Sequence, residues 1–376
     1  MIYKNDFKYL AGIVCAVFFA ALLVVSCDSS DEGTGGTPAP DFDQLEMLGN
    51  YADNLIIPAY SDLQSSADLM KTAVSDFEAD PNVANLELLQ TNLKSLRTSW
   101  QHANFYQFGP AETNTLRAVM NTYPTDTDKI NQNIESGNYT LGSLDNIAAG
   151  GLPALDYLIN GMGDTPEQIV EAFTSDPLAA ARMAYLVDNA SFVESSISNV
   201  TNAWDPAGGD YRATFLSPLN SGTGIGSSVG LMVNAMLLHY ERFMRDGKIG
   251  IPAGVRSAGV PRPTATEAFY GGYSAELAEI NIAAFKNLYA GGNGSGLDDY
   301  LIFMGANVLD NDIDTELDEA ISDASKLTDP LSQNIEDDNE RVIQVFTSLQ
   351  EALVLLKVDM TSILGITITN QDNDGD

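Results

Sequence analysis

Leu86-Glu87-Leu88-Leu89-Gln90-Thr91-Asn92-Leu93-Lys94-Ser95-Leu96-Arg97-Thr98-Ser99-Trp100-Gln101-His102-Ala103 decides the fold class. Leu86, Leu89, Leu93, Leu96, Trp100 and Ala103 recur at alternating spacings of three and four, which sets them on one stripe of a helix that turns about 100° per residue. The same alternation runs through Ala179, Met183, Leu186, Ala190, Val193, Ile197 and Val200, and again through Val342, Phe346, Leu349, Leu353, Leu356, Met360 and Ile363. Shorter helices are predicted near residues 43–78, 224–245 and 274–290. No convincing run alternates polar and apolar residues as a strand would. Narrow seams of this kind predict an all-α protein of two packed helical bundles.

Turn chemistry marks the breaks. Gly109-Pro110 ends the Trp100 helix, because proline removes a backbone donor and biases its predecessor away from helix. Gly150-Gly151 precedes a helix with Pro153 in its first turn, where the missing N–H costs nothing. Asp205-Pro206-Ala207-Gly208-Gly209 separates the halves, giving an N-terminal bundle over 42–205 and a C-terminal bundle over 206–366 before an acidic tail over 367–376. The connection from Asp246 to Gly272 is Gly/Pro-rich and longer than a structural link needs, a common sign of function.

The N-terminus carries Lys4 and Lys8, then an apolar run from Tyr9 to Val25, then Ser26-Cys27. That order predicts a secretory signal over residues 1–26. A cysteine directly after a small residue at the cleavage point resembles a bacterial lipoprotein box, so Cys27 is the expected lipidation site. Residues 27–41, rich in Gly, Ser, Thr and Pro, read as a flexible tether. The expected location is the cell envelope, with the chain anchored in the membrane through lipid. Cys15 leaves with the signal, so the folded part has no cysteine and therefore no disulfide and no thiolate metal site.

The formal charge is −34. Nucleic acid is excluded as a partner for such a surface. A hydrophobic content of 44% suffices for a packed core without staples.

Three islands carry a resemblance. Trp100-Gln101-His102-Ala103-Asn104-Phe105-Tyr106-Gln107-Phe108-Gly109-Pro110, Gly151-Leu152-Pro153-Ala154-Leu155-Asp156 and Lys248-Ile249-Gly250-Ile251-Pro252-Ala253-Gly254 with Thr266-Glu267-Ala268-Phe269-Tyr270 resemble the signatures of the imelysin family. The family comprises bacterial envelope proteins once classed as metallopeptidases, and its second signature reads Gly-x-His-x-x-Glu. Here Pro153 replaces the histidine and Asp156 the glutamate, and Asn104 stands where the family commonly has a glutamate four residues after its tryptophan. The resemblance thus implies the fold of two related bundles while arguing against the catalysis. It also implies a part in iron or haem acquisition, with outer-membrane uptake components as partners.

With these replacements the resemblance implies a polar pocket without a metal cage. Catalytic zinc normally needs three protein ligands, and the nitrogen donor at the family position is gone. Asp156 has two readings, a carboxylate stabilised in the first turn of its helix or a pocket-facing group. His102 lies one residue off the Trp100 seam and borders the same region, whereas His239 falls on an apolar stripe and reads as a hydrogen-bonded core histidine. Trp100, His102, Asn104, Asp156, Tyr157 and Glu267 are the expected pocket residues, with no catalytic residue and no metal ligand among them. Asp310, Asp312 and Asp314 begin like a calcium loop, but Thr315 replaces its glycine and Ile321 its glutamate. The leading functional expectation is a non-catalytic binding or accessory lipoprotein. The alternatives are a metallopeptidase-like hydrolase and a structural lipoprotein with a vestigial pocket.

Overall fold

The longer helices carry most of the packing in the computed structural model, which describes residues 41–369. The signal segment, Cys27, the tether up to Pro40 and the tail beyond Thr369 lie outside the described residues. A helical stretch from Gln44 runs through a wide turn at Tyr51–Ile56 into α1 (Ile57–Ala79). The chain turns at Asp80-Pro81-Asn82, and Asn82 starts α2 (Val83–Ala103) by accepting the Asn85 N–H at 2.9 Å. The short α3 (Leu116–Asn121), α4 (Gly151–Asn160) and the long α5 (Ala179–Trp204) follow in the first half, with shorter helical segments at Thr127–Ser136 and Pro166–Thr174 between them. In the second half, α6 (Ser228–Leu238) continues into a wider helix over His239–Gly250, followed by α7 (Ser274–Tyr289), α8 (Asn307–Ala324) and α9 (Asn339–Val354). Among the described residues there is no strand.

The seams do what their spacing predicts. Leu86, Leu89, Leu93 and Leu96 are fully buried, and α1 packs along both α2 and α5. On α5, Met183, Leu186, Ala190, Val193, Ile197 and Val200 are buried in the same core. The third seam holds through Met360 but leaves Phe346 half-buried and Ile363 exposed. A wide turn over Leu355–Met360 shifts the register, so Leu364 takes the inward place instead. α8 and α9 pack together, α7 lies on α8, and α7 also crosses to α2, where the two halves meet.

The turn after α5 is pinned by aromatic rings: Trp204 meets Phe108, Tyr211 and Phe215 at centroid distances of 5.0–6.0 Å. Phe108-Gly109-Pro110 therefore serves packing. Gly109 has φ +53, and a Cβ there would lie 2.3 Å from the Tyr211 ring, so only glycine fits. Asp310, Asp312 and Asp314 are helical, with Asp314 pairing to Lys286 at 2.7 Å, so they form no calcium loop. Among the described residues no helix is long and apolar enough to cross a membrane.

Candidate functional site

Segments far apart in the chain meet where α2 faces α7, and their polar side chains are buried together. Glu267 is the centre. Its carboxylate pairs with the Lys248 ammonium and accepts from Asn121 Nδ2 at 2.8 Å and Gln101 Nε2 at 3.2 Å. The Arg97 guanidinium stands 3.7 Å away. Burial opposes ionisation of Glu267, but Lys248 and Arg97 together outweigh it and hold the carboxyl below its usual range. Lys248 also donates to Gln101 Oε1 at 2.7 Å.

The network extends along α2. Asn281 of α7 donates to the Gln101 carbonyl at 2.8 Å and to Asn104 Oδ1 at 3.1 Å, while its own Oδ1 lies 2.9 Å from His239 Nε2. Arg117 Nη2 stands 3.4 Å from His239 Nδ1. A guanidinium only donates, so Nδ1 is the acceptor and the proton belongs on Nε2, which donates to Asn281. Burial first, and the Arg117 charge next, push the His239 pKa well below its ordinary 6.5.

A stability consequence follows from that neutral imidazole. The unfolded chain binds a proton at this residue below about pH 6.5 while the folded chain does not, so stability falls as pH drops through 6.5. The slope contributed is about 1.4 kcal/mol per pH unit until the folded value is reached. Urea denaturation of His239→Gln between pH 5 and 7 should show a flatter profile than the native chain. An unchanged slope would mean that His239 titrates normally.

Beside Arg97 lies a cavity of about 230 Å³, walled by Tyr123 and Pro124, by Pro153 and Asp156 of α4, and by Thr264, Thr266, Phe269 and Tyr270 of the long loop. The start of α4 is fixed by Gly151. Its φ is +75, a Cβ would lie 2.5 Å from the Val119 and Met120 carbonyls, and Asn189 clamps its N–H and C=O at 3.0 and 3.1 Å. Pro153 then takes a first-turn position and presents its ring to the cavity. Asp156 is the sixth residue of α4, too far along to cap the first turn, which corrects the capping reading. Instead its carboxylate accepts from Asn160 Nδ2 at 2.9 Å and from the Tyr270 N–H at 3.1 Å. Burial pushes the Asp156 carboxyl up, and the Arg97 charge offsets part of that. Ala268, held in the left-handed region at φ 51, turns the loop so that Tyr270 reaches α4.

Arg97 is the outlier. It is fully buried, yet none of its three guanidinium nitrogens has a hydrogen-bond partner. A larger apolar cavity of about 510 Å³, with Leu238, Phe243 and Ile251 in its walls, shares Tyr123 and Pro124 with the smaller one.

The expected pocket residues are thus partly gathered. Asp156 lines the 230 Å³ cavity, Glu267 sits behind Arg97, and Trp100 and Asn104 border a small gap with His239 and Lys248. Tyr157 lies to one side, its ring 5.2 Å from Tyr270. His102 is not brought in: it is exposed on the outer side of α2. The sequence reading missed Arg97, Gln101, Lys248 and Asn281 as site residues. The available signal was Arg97 and Gln101 themselves, polar residues four apart whose spacing from Leu93 and Trp100 places them on the buried stripe.

A family model described as imelysin matches residues 56–360, most of the chain. The chain belongs to the imelysin family. A crystal structure named as an iron-regulated protein A precursor from Parabacteroides distasonis superposes with a TM-score of 0.72 at 20% identity, covering 88% of this chain and 97% of that one. An imelysin-like protein from Psychrobacter arcticum gives 0.65 at 18% identity, covering 89% and 100%. Iron-regulated protein A of Synechococcus elongatus is 25% identical over 81 residues, 22% of this chain and only 23% of that relative's length. In imelysin terms, the turn that carries the signature histidine is kept by Gly151, while the cavity it faces receives a proline ring, a carboxylate and a guanidinium. Among the described residues, no group of three or more His, Cys, Asp or Glu is placed to hold a metal ion.

Proposed function

We propose that this imelysin-family protein is a lipid-anchored envelope protein with a non-catalytic binding role in iron acquisition. The observation that carries the reading is the donor set at the signature cavity. Asp156 is the one carboxylate in its wall, Pro153 offers no donor, and the buried Arg97 charge beside them opposes a cation. Hydrolytic zinc needs about three protein ligands and an open position. At about 230 Å³ this cavity is below the roughly 300–1,000 Å³ of drug-sized pockets and does not hold a haem macrocycle. The link to iron rests on the relatives that bear the name iron-regulated protein A.

Two measurements test this reading. The purified chain should carry no stoichiometric zinc and no protease activity that a chelator removes, and loss of the gene should slow growth under iron limitation. Zinc near one per chain, with Asp156→Ala abolishing both metal and peptide cleavage, would restore the peptidase alternative. The anchor is tested separately. Several acyl chains on Cys27 make membrane attachment effectively stable, so Cys27→Ala should release the protein to the soluble fraction, and unchanged membrane fractionation would sink the lipoprotein reading.

A further inference from the structure

We propose that the cavity between α2, α4 and the 264–270 loop is a receptor for a small carboxylate bearing a neighbouring hydroxyl or ammonium group, with Arg97 holding the carboxylate and Asp156 the neighbouring group. This deepens the binding role above and rests on it. The starting point is the cost of Arg97 as it stands. A buried donor without an acceptor is costly, more so when charged, and here all three guanidinium nitrogens are in that state. Glu267 balances the charge at 3.7 Å but accepts no hydrogen bond from it, since its oxygens are already engaged by Lys248, Asn121 and Gln101. Asp156 feels the same charge, also without a hydrogen bond to it. The Tyr273 hydroxyl, which the Arg97 charge reaches, is buried and unpartnered as well. An unpartnered donor fork in the wall of a cavity is a preformed site for an acceptor.

The shape and charge of the cavity select the acceptor. A planar guanidinium matches a planar carboxylate in two parallel hydrogen bonds. Larger dianions such as phosphate are disfavoured, because Glu267 and Asp156 stand close by and the chain as a whole carries −34. Asp156 accepts from Asn160 and from the backbone N–H groups of Tyr270 and Gly271, three of its roughly four lone-pair sites, and keeps one free. That spare capacity suits a donor on the ligand, a hydroxyl or an ammonium, next to its carboxylate. Pro124, Pro153 and Phe269 close the remainder with apolar surface. The volume of about 230 Å³ lies below the roughly 300–1,000 Å³ of drug-sized pockets and admits only a small metabolite.

The test is calorimetric titration of the purified full chain with L-lactate, glycine, acetate and, as controls at equal ionic strength, phosphate and chloride. Lactate or glycine should bind saturably and at least threefold more tightly than acetate, with the controls silent. Arg97→Met should weaken that binding at least tenfold, and Asp156→Asn should erase the preference over acetate. Arg242→Ala, in the neighbouring cavity, should leave it unchanged. Should Arg97→Met fail to fold by circular dichroism, Arg97→Lys keeps the charge but loses the fork and should also weaken binding. No saturable heat from lactate, glycine or acetate, equal heat from phosphate, or native-like binding by the folded Arg97 variant would overturn the proposal. Absence of carboxylate binding in a chain still needed under iron limitation overturns this inference alone, whereas zinc-dependent cleavage overturns the binding-protein reading beneath it.

Discussion

Glu267→Ala is expected to destabilise the fold by about 3–5 kcal/mol, the cost of leaving a buried charge without its partner. Lys248 and Arg97 are 4% and 0% exposed at their side chains, so neither recovers water when the carboxylate is removed. Gln101 and Asn121 lose their acceptor in the same step. The double variant Glu267→Ala with Lys248→Met should cost less than the sum of the two single changes, because removing both charges removes the mismatch that either leaves. The pH dependence has a definite sign. Glu267 titrates below its ordinary 4.5 in the folded chain, so its stabilisation is present above that value and disappears as pH falls through the folded one. Urea denaturation at pH 7 and at pH 4 measures both effects, and a loss under about 1 kcal/mol at pH 7 would mean that the cluster is hydrated in solution.

How much of this was legible in the sequence depends on the distance over which each interaction acts. The Leu86-to-Trp100 seam needed no partner to be read, since periodicity alone fixes which face of α2 is buried. Trp100 was accordingly placed in the buried interior, whereas Asn104 and Glu267 were named from their positions in the family resemblance. His102 was misplaced for a simple geometric reason. It follows Trp100 by two residues, about 200° around the helix, and so points away from the stripe. Arg97 and Gln101 lie on the stripe, but their meaning depends on Glu267, 166 residues beyond Gln101. No local pattern announces that pairing. Asp156 was ambiguous because its role turned on where α4 begins, and that is set by the Gly151 contacts with Val119, Met120 and Asn189.

The signature positions separate here into those that hold the fold and those whose side chains face the cavity. Phe108 and Gly109 pack against Trp204, Phe215 and Tyr211, and Gly151 admits no side chain. Backbone and packing require these residues here. The side chains that face the cavity carry no such obligation. A proline is tolerated at the histidine position since the first turn of α4 asks for no N–H donor there. A proline there therefore costs little in stability, and the cavity it faces is lined by Arg97 and Asp156.

Trp100→Ala should destabilise the protein by about 3–5 kcal/mol, the range for deleting a fully buried large aromatic. The indole is 1% exposed and continues the leucine seam of α2 into the common core. Its far edge borders a gap of about 20 Å³ shared with Asn104, His239 and Lys248, so truncation would merge new space with an existing polar void. Water entering that enlarged space satisfies polar groups and not the apolar wall left by the indole, which keeps the cost high. Trp100→Phe, which retains most of the apolar volume, should lose less than half as much. The comparison is made by urea denaturation with unchanged slope, so that the midpoint alone reports stability. A loss below about 1 kcal/mol for Trp100→Ala would show that the seam of α2 does not bear on the cooperative core.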